Sequence, residues 1–181
     1  ETLAPTIEPT QTIPEGVPYI TLPPDFEESG NEWRYAQSLL NRIEFNVKLL
    51  NYVVADSLLQ IAQSYQLDSS YQARYYETKG LYFYEQQQYD SALVYFQEGL
   101  DYWQSEQDKC FSWLKIMQAY YVRDEELDSA VYYAQKIVSI SENPNYVSNA
   151  YYCLMQDAKE KDDIQRLSQY AHTRTDVLKL L

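Results

Sequence analysis

The stretch Asp90-Ser91-Ala92-Leu93, followed by Phe96-Gln97, governs the architecture because versions of it recur along the chain at a nearly constant interval. The versions begin 34, 38 and 34 residues apart, and each has a Gln six residues after its second member. Self-similarity with a period of about 34 residues is the sequence mark of stacked helical hairpins. The other versions are Asp56-Ser57-Leu58-Leu59, Asp128-Ser129-Ala130-Val131 and the degenerate Asp162-Asp163-Ile164.

Helix breakers are confined to the start of the chain. Six of the seven prolines fall within the first 24 residues, and only four glycines occur. From Trp33 onward the apolar residues recur at helical spacing. We expect Asp56, Asp90 and Asp128, or the residue beside each, to cap the second helix of a hairpin. The pattern predicts an all-α fold of eight helices at 32–50, 54–66, 70–87, 90–105, 109–124, 128–141, 146–160 and 163–175.

Residues 1–30 differ in composition from the helical domain, which we place at 31–181. Thr, Pro and Glu dominate the start, which predicts an extended, polyproline-like segment that tethers the domain to a lipid anchor upstream. An apolar strip from Tyr19 to Phe26 contains two prolines and is unsuited to a helix. We expect this strip to cover the first hairpin. The apolar pattern of residues 176–181 indicates that the polypeptide continues beyond it.

The composition excludes several classes of function. A net charge of −13 repels the phosphate backbone of nucleic acids, and no Lys/Arg cluster offsets it. No apolar run approaches the ~18 residues of a membrane span. The two cysteines, Cys110 and Cys153, and the one histidine, His172, are too few for a zinc site or a disulfide framework. We expect packing thiols, with a single Cys110–Cys153 bridge as the less favoured alternative, and neither a metal nor a cofactor.

Two acidic pairs could suggest acid–base catalysis, Glu125-Glu126 and Asp162-Asp163. Each falls in a predicted hairpin turn, without an apolar pocket that would separate the two pKa values. We therefore expect no enzymatic activity. His172 falls near a predicted helix C-terminus, where the helix dipole favours a surface position over metal binding.

The second hairpin contains Tyr76-x-x-Lys79-Gly80-x-x-Phe83 and then Ala92-x-x-x-Phe96. This pattern resembles the tetratricopeptide repeat, in which small residues allow two helices to cross closely. The third hairpin is a weaker copy, and the first and last keep only the second-helix signature and the spacing. The resemblance implies a right-handed α-α superhelix of about four hairpins. A generic array of helical hairpins is the alternative.

The resemblance also implies that the first helices line a concave groove for a protein or peptide partner. Some members of the family grip a partner's C-terminal carboxylate with Lys and Asn, but Ile43 and Val47 stand at those places here. That mode of binding is therefore disfavoured. The implied groove residues are Leu40, Ile43, Val47, Arg74, Glu77, Leu81, Tyr84, Lys115, Arg123, Tyr146 and Asn149.

Tyrosine is unusually frequent, at 20 residues. Tyrosine is enriched at binding hot spots, although packing with hydrated hydroxyls is its favoured role here. The acidic, tyrosine-rich composition resembles that of tetratricopeptide proteins exported by Gram-negative gut anaerobes. Those proteins occur as lipoproteins or as sensor portions of signalling proteins. We expect a non-catalytic, extracytoplasmic protein-interaction scaffold. The alternatives are a cytoplasmic location and a sensor that binds a peptide or sugar in a tyrosine-rich groove.

Overall fold

The described part of the chain folds into eight α-helices, as its apolar period predicts. The computed structural model describes residues 32–65, 67–123 and 127–181. The predicted extended segment and the apolar strip that should cover the first hairpin lie outside these residues. The helices are α1 Glu32–Lys48, α2 Tyr52–Gln63, α3 Ser69–Glu85, α4 Tyr89–Leu100, α5 Cys110–Val122, α6 Leu127–Ile140, α7 Pro144–Glu160 and α8 Ile164–Leu178.

Consecutive helices pack as hairpins, and each hairpin packs on the next. The helices α3 and α4, α5 and α6, and α7 and α8 are paired, while α1 and α2 share one buried apolar cluster. The second helix of each of the first three hairpins contacts the first helix of the following one, and α3 and α7 both contact α5. Together Trp33–Leu181 form one compact unit with the arrangement of an α-helical repeat solenoid. The predicted all-α fold class is confirmed.

Three hairpin turns share one backbone geometry. Leu50, Gln87 and Asp162 follow α1, α3 and α7, with φ values of 59°, 61° and 53°. In each turn, the backbone amide of the residue that follows the positive-φ residue donates to the carbonyl of the residue five positions before it, at 2.8 to 3.0 Å. This pattern is a Schellman closure, which usually has glycine at the left-handed position. Because none of the three residues is glycine, the sequence gives no direct sign of the motif.

Most predicted helix ends lie within three residues of the observed ones, but the predicted end of α4 at residue 105 is wrong. The helix ends at Leu100, and residues 101–109 form a longer connection to α5. The chain leaves the helix early, and the indole Nε1 of Trp103 donates to a carboxylate oxygen of Glu77 at 2.9 Å. The helix α7 begins at Pro144, two residues before its predicted start, because proline suits the first helical position.

The expectation that Asp56, Asp90 and Asp128, or the residue beside each, cap the second helices is wrong in all three hairpins. Asp90 and Asp128 are the second residues of α4 and α6, and Asp56 is the fifth residue of α2. The N-cap residues of α2 and α4 make no side-chain cap hydrogen bond. In the last hairpin Asp163 does cap its helix, accepting from the amide of Arg166 at 3.0 Å. First-turn carboxylates still interact favourably with the positive end of the helix dipole.

The close helix crossing in the second hairpin agrees with the small residues at that place. A Cβ atom on Gly80 would lie 2.6 Å from Cδ1 of Phe96, closer than side-chain atoms normally approach. Ala92 and Phe96 are fully buried at the same crossing. The adjacent Lys79 extends across the aromatic surface, with its ammonium 4.4 Å from the ring centre of Tyr95.

Candidate functional site

The first helices of the four hairpins share a row of polar side chains, which we call the first-helix face. On α3, Glu77 and Thr78 are three and four positions after Arg74, and Tyr84 is seven positions after Glu77, so they lie along one side of the helix. Hydrogen bonds connect these α3 residues with residues of α1 and α5. The first-helix face consists of Gln37, Asn41, Glu44, Arg74, Glu77, Thr78, Tyr84, Ser112, Lys115, Tyr146 and Asn149.

Arg74 joins the first two hairpins. Its guanidinium donates to Oε1 of Gln37 at 2.7 Å, to Oδ1 of Asn41 at 3.2 Å and to Oε1 of Glu44 at 3.2 Å. The same glutamate oxygen accepts from the Thr78 hydroxyl at 3.3 Å. The side chains of Arg74 and Glu44 are 34% and 31% exposed, so a partner could reach this network.

Glu77 is a buried ionisable member of the face, with 7% of its surface exposed. One of its carboxylate oxygens accepts from the Ser112 hydroxyl at 2.5 Å and from the Trp103 indole at 2.9 Å. Burial raises the pKa of Glu77 to about 7, and the two hydrogen bonds and the Arg74 charge only partly oppose that rise. Glu77 therefore holds the α4–α5 connection against the first-helix face through a carboxylate that titrates near neutral pH.

Lys115, Tyr146 and Asn149 extend the face along the third and fourth hairpins and are less buried than Glu77. The Lys115 ammonium lies 4.8 Å from the ring centre of Tyr84, and burial lowers the pKa of this lysine. Burial raises the pKa of Tyr146, and repulsion from the Glu77 carboxylate adds to that rise. Asn149, one turn further along α7, is exposed. The face therefore offers a cation, phenols and an amide to a ligand.

Four of the groove residues expected from the resemblance are core residues in the structure. Leu40, Ile43 and Val47 have no exposed surface, and Leu81 is 7% exposed. On α1 the three apolar residues are three and four positions apart, so they form one stripe that joins the buried cluster. They offer no accessible surface to a partner. The first hairpin instead contributes a polar stripe, Gln37, Asn41 and Glu44, that apolar patterning alone does not single out.

Arg123 contributes to a junction between hairpins. It is the C-cap residue of α5, and its guanidinium lies 2.8 Å from the Asp90 carboxylate of α4. The two residues line a small cleft together with Gln87, Gln88, Tyr89 and Ser91. The predicted groove residues that the structure brings together on the first-helix face are therefore Arg74, Glu77, Tyr84, Lys115, Tyr146 and Asn149.

Tyrosine rings pack both within a hairpin and between neighbouring hairpins. Tyr35 meets Tyr65 with ring centres 5.8 Å apart, and Tyr52 meets Tyr82 at 6.0 Å. The hydroxyl of Tyr52 also donates to the carbonyl of Glu85 at 3.0 Å. Edge-to-face pairs of this kind stabilise a contact beyond the area that they bury. The packing role expected for the tyrosines applies to these rings.

A second concentration of tyrosines lines a cleft of about 570 Å³, which we call the tyrosine cleft. It lies on the side of α3 opposite to Arg74 and Glu77. Two of its lining residues, Tyr76 and Lys79, are two and five positions after Arg74, and this spacing places them on the other side of the helix. Its lining residues are Gln63, Leu67, Gln72, Tyr75, Tyr76, Lys79, Tyr95, Glu98 and Tyr102. Sequence periodicity did not separate these tyrosines from the packing ones.

The cysteines are packing residues, as expected. Both are free and buried. Burial raises the pKa of Cys153 to about 12 and also raises that of Cys110, so neither thiol is ionised at neutral pH. His172 is on the surface, with its side chain 82% exposed and 3.5 Å from the Asp176 carboxylate.

The acidic pair Asp162-Asp163 lies in the turn between α7 and α8. Asp162 has a left-handed backbone after α7, and Asp163 caps α8. The pair Glu125-Glu126 lies outside the described residues. Over 32–65, 67–123 and 127–181, no cluster of three or more His, Cys, Asp or Glu residues could hold a metal ion.

Comparison with known proteins finds no relative for this arrangement. No family model matches the chain. No curated protein and no solved structure matches it significantly. Within the part of the chain that the structure describes, every helix is too short or too polar to cross a membrane.

Proposed function

We propose that this chain is a non-catalytic protein-interaction scaffold built from tetratricopeptide-like hairpins. The observation that carries the proposal is the first-helix face, where hydrogen bonds join polar side chains of the first three hairpins and α7 of the fourth packs against α5. Helical repeat arrays use such extended surfaces to hold partner proteins. The partner is a protein or peptide, in keeping with the net charge of −13, which disfavours nucleic acid.

The exposed chemistry of the face suits a partner segment that carries both charged and amide groups. Arg74 and Glu44 form an accessible ion pair, with about a third of each side chain exposed. Lys115 over the Tyr84 ring adds a cation, and the exposed Asn41 and the Asn149 amide at the other end of the row add donors and acceptors. Mixed polar groups of this kind determine specificity and register more than affinity.

The proposed setting is extracytoplasmic, as a lipoprotein or as the sensor part of a signalling protein. Support comes from the Thr/Pro/Glu composition of residues 1–30 and from the acidic, tyrosine-rich style of the repeats. In cells that produce the protein, an added protease should degrade it once the outer membrane is permeabilised. Protection until the cytoplasm is opened would support the cytoplasmic alternative instead.

Photo-crosslinking tests the scaffold directly. A photoreactive residue placed at Asn41 or Asn149 should give a discrete adduct with one partner in the producing cells, because both positions are exposed on the first-helix face. The matched control is Gln135, which is equally exposed but lies on the second helix of a hairpin. Adducts of equal yield from Gln135, or none from either face position, would contradict the proposal.

A second candidate function is ligand sensing, and the tyrosine cleft is the observation that favours it. The cleft has the volume of a small-molecule site, and polar groups converge in it. A thermal-shift screen with short peptides and oligosaccharides tests this function. A reproducible rise in melting temperature supports sensing, and a flat response to every compound contradicts it.

A further inference from the structure

The tyrosine cleft combines aromatic rings with groups that both donate and accept hydrogen bonds. Phenol hydroxyls and carboxamides can do both, whereas an ammonium only donates and a carboxylate only accepts. Leu67 is the one aliphatic side chain among its nine lining residues. The cleft therefore offers the half-buried rings of Tyr76 and Tyr102 and directional polar groups, with little surface for anchoring aliphatic side chains.

The rings of the cleft are held in place by one another. Tyr76 and Tyr102 are stacked, with ring centres 5.4 Å apart and planes 17° from parallel. Tyr95 is stacked on Phe83, with centres 5.2 Å apart and the same interplanar angle. Burial raises the pKa of Tyr76, and a hydrogen bond with Tyr102 adds to that rise. A ligand would meet a preorganised surface and would lose less free energy in ordering it.

The charges of the cleft cancel. The Lys79 ammonium lies 4.4 Å from the ring centre of Tyr95, and Glu98 is the opposite charge on the lining. The site therefore has no net charge, although the chain as a whole carries −13. An ionic ligand would gain little from such a site, and a neutral ligand with many polar groups would not be repelled.

We infer that the tyrosine cleft is a binding site for a neutral oligosaccharide. The C–H faces of a sugar ring carry a slight positive charge and pack on the negative faces of tyrosine rings. Its hydroxyls pair with donors and acceptors together, as the amides of Gln63 and Gln72 and the phenols of the cleft do. A cleft of about 570 Å³ is large enough for a short oligosaccharide. The inference rests on the second candidate function, ligand sensing.

The direct test is titration of the 181-residue chain with maltotriose, cellotriose and mannotriose, followed by saturation-transfer NMR and calorimetry. Concentrations up to about 10 mM detect a millimolar Kd. At least one of these trisaccharides should bind. The exposed variants Gln63→Ala and Glu98→Ala should weaken that binding by about tenfold or more. Both side chains are at the surface, so the fold should be unchanged.

The matched control is Gln135→Ala, since Gln135 follows Ala134 in the third hairpin as Gln63 follows Ala62 in the first. It should leave the affinity unchanged. Binding that none of the cleft variants weakens, or no binding by any trisaccharide, would overturn the inference. A response to decaproline or trigalacturonate alone, lost in Gln63→Ala, would also overturn the oligosaccharide assignment while leaving ligand sensing intact. Absence of binding by every compound would overturn both the oligosaccharide assignment and the ligand-sensing function.

Discussion

Asp90 and Arg123 are 33 residues apart in the sequence, and their charged groups lie 2.8 Å apart in the structure. The same separation joins Asp128 to Lys161, at 3.4 Å. In both pairs the aspartate is in the first turn of a second helix, and its partner is the C-cap residue of the next hairpin's first helix. Two of the recurrent aspartates, Asp90 and Asp128, therefore connect neighbouring hairpins.

Asp90→Asn should destabilise the fold only slightly, because the carboxylate is 85% exposed and water screens the pair. We expect a loss of at most about 1 kcal/mol in the free energy of unfolding at low salt, and a smaller loss at high salt. Urea denaturation at two salt concentrations measures it. A loss above about 2 kcal/mol that is independent of salt would give Asp90 a role other than this ion pair.

Glu77 should make the stability depend on pH. Burial raises its pKa from 4.5 to about 7, so the folded state binds a proton more tightly than the unfolded state between these values. Its favourable contribution is complete below about pH 4.5 and is lost as the pH rises through 7. The lost contribution is on the order of 3 kcal/mol by the size of the shift. Urea denaturation across this range should show that loss.

Glu77→Gln is the variant that isolates the effect. The glutamine carbonyl can still accept from Ser112 and Trp103 but does not ionise. It should melt above the wild type near pH 8 and close to it near pH 5. The fluorescence of Trp103 should also lose a pH transition near 7, while Glu98→Gln at an exposed site keeps it. Equal pH dependence in Glu77→Gln and the wild type would remove Glu77 as the cause.

Gly80→Ala should destabilise the second hairpin, although alanine is the better helix former. The added methyl would lie 2.6 Å from Cδ1 of Phe96, which is fully buried and has little room to move. We expect a loss of about 1 to 3 kcal/mol. The control is Gly99→Ala, where the nearest atoms would be 3.3 Å away and a small change is expected. Thermal melting should rank the wild type above Gly80→Ala, and equal melting temperatures would contradict the close crossing.

Leu50→Gly should stabilise the protein, which is unusual for a leucine replacement. Leu50 has a φ of 59° and is 67% exposed, so glycine removes backbone strain and loses little packing. We expect a gain of about 0.5 to 1 kcal/mol, and the same for Gln87→Gly. The helical control Gln60→Gly should instead lose about 1 kcal/mol. A lower melting temperature in both turn variants would show that these turns do not have the left-handed geometry.

The number of hairpins could be predicted from the sequence because each hairpin buries similar residues at similar positions, so the pattern recurs once per hairpin. Gly80 and Ala92 indicated where helices cross, since small residues are needed there. The end of α4 was not predicted, and the connection after it forms a hydrogen bond between Trp103 and Glu77, residues that are distant in the sequence. Local propensity carries no information about such a contact.

The site was predicted less completely than the fold. Apolar residues of α1 such as Ile43 looked suitable for a groove, but the spacing that places them in one row also places them in the core. Arg74 and Lys115 were found because the first helices do share a face. The tyrosine cleft depends on which rings of three elements converge, and Tyr102 reaches it only because the chain turns after α4.

Hydrogen exchange of the chain bound to its photo-crosslinked partner tests whether the first-helix face binds that partner. We expect the partner to slow exchange in peptides from α1, α3, α5 and α7, which carry the first-helix face. The charge-bearing variant Asn149→Arg should weaken both the binding and the protection in α7, while Gln135→Arg should change neither. Protection confined to α2, α4, α6 and α8, or equal loss of binding in the two variants, would contradict this expectation.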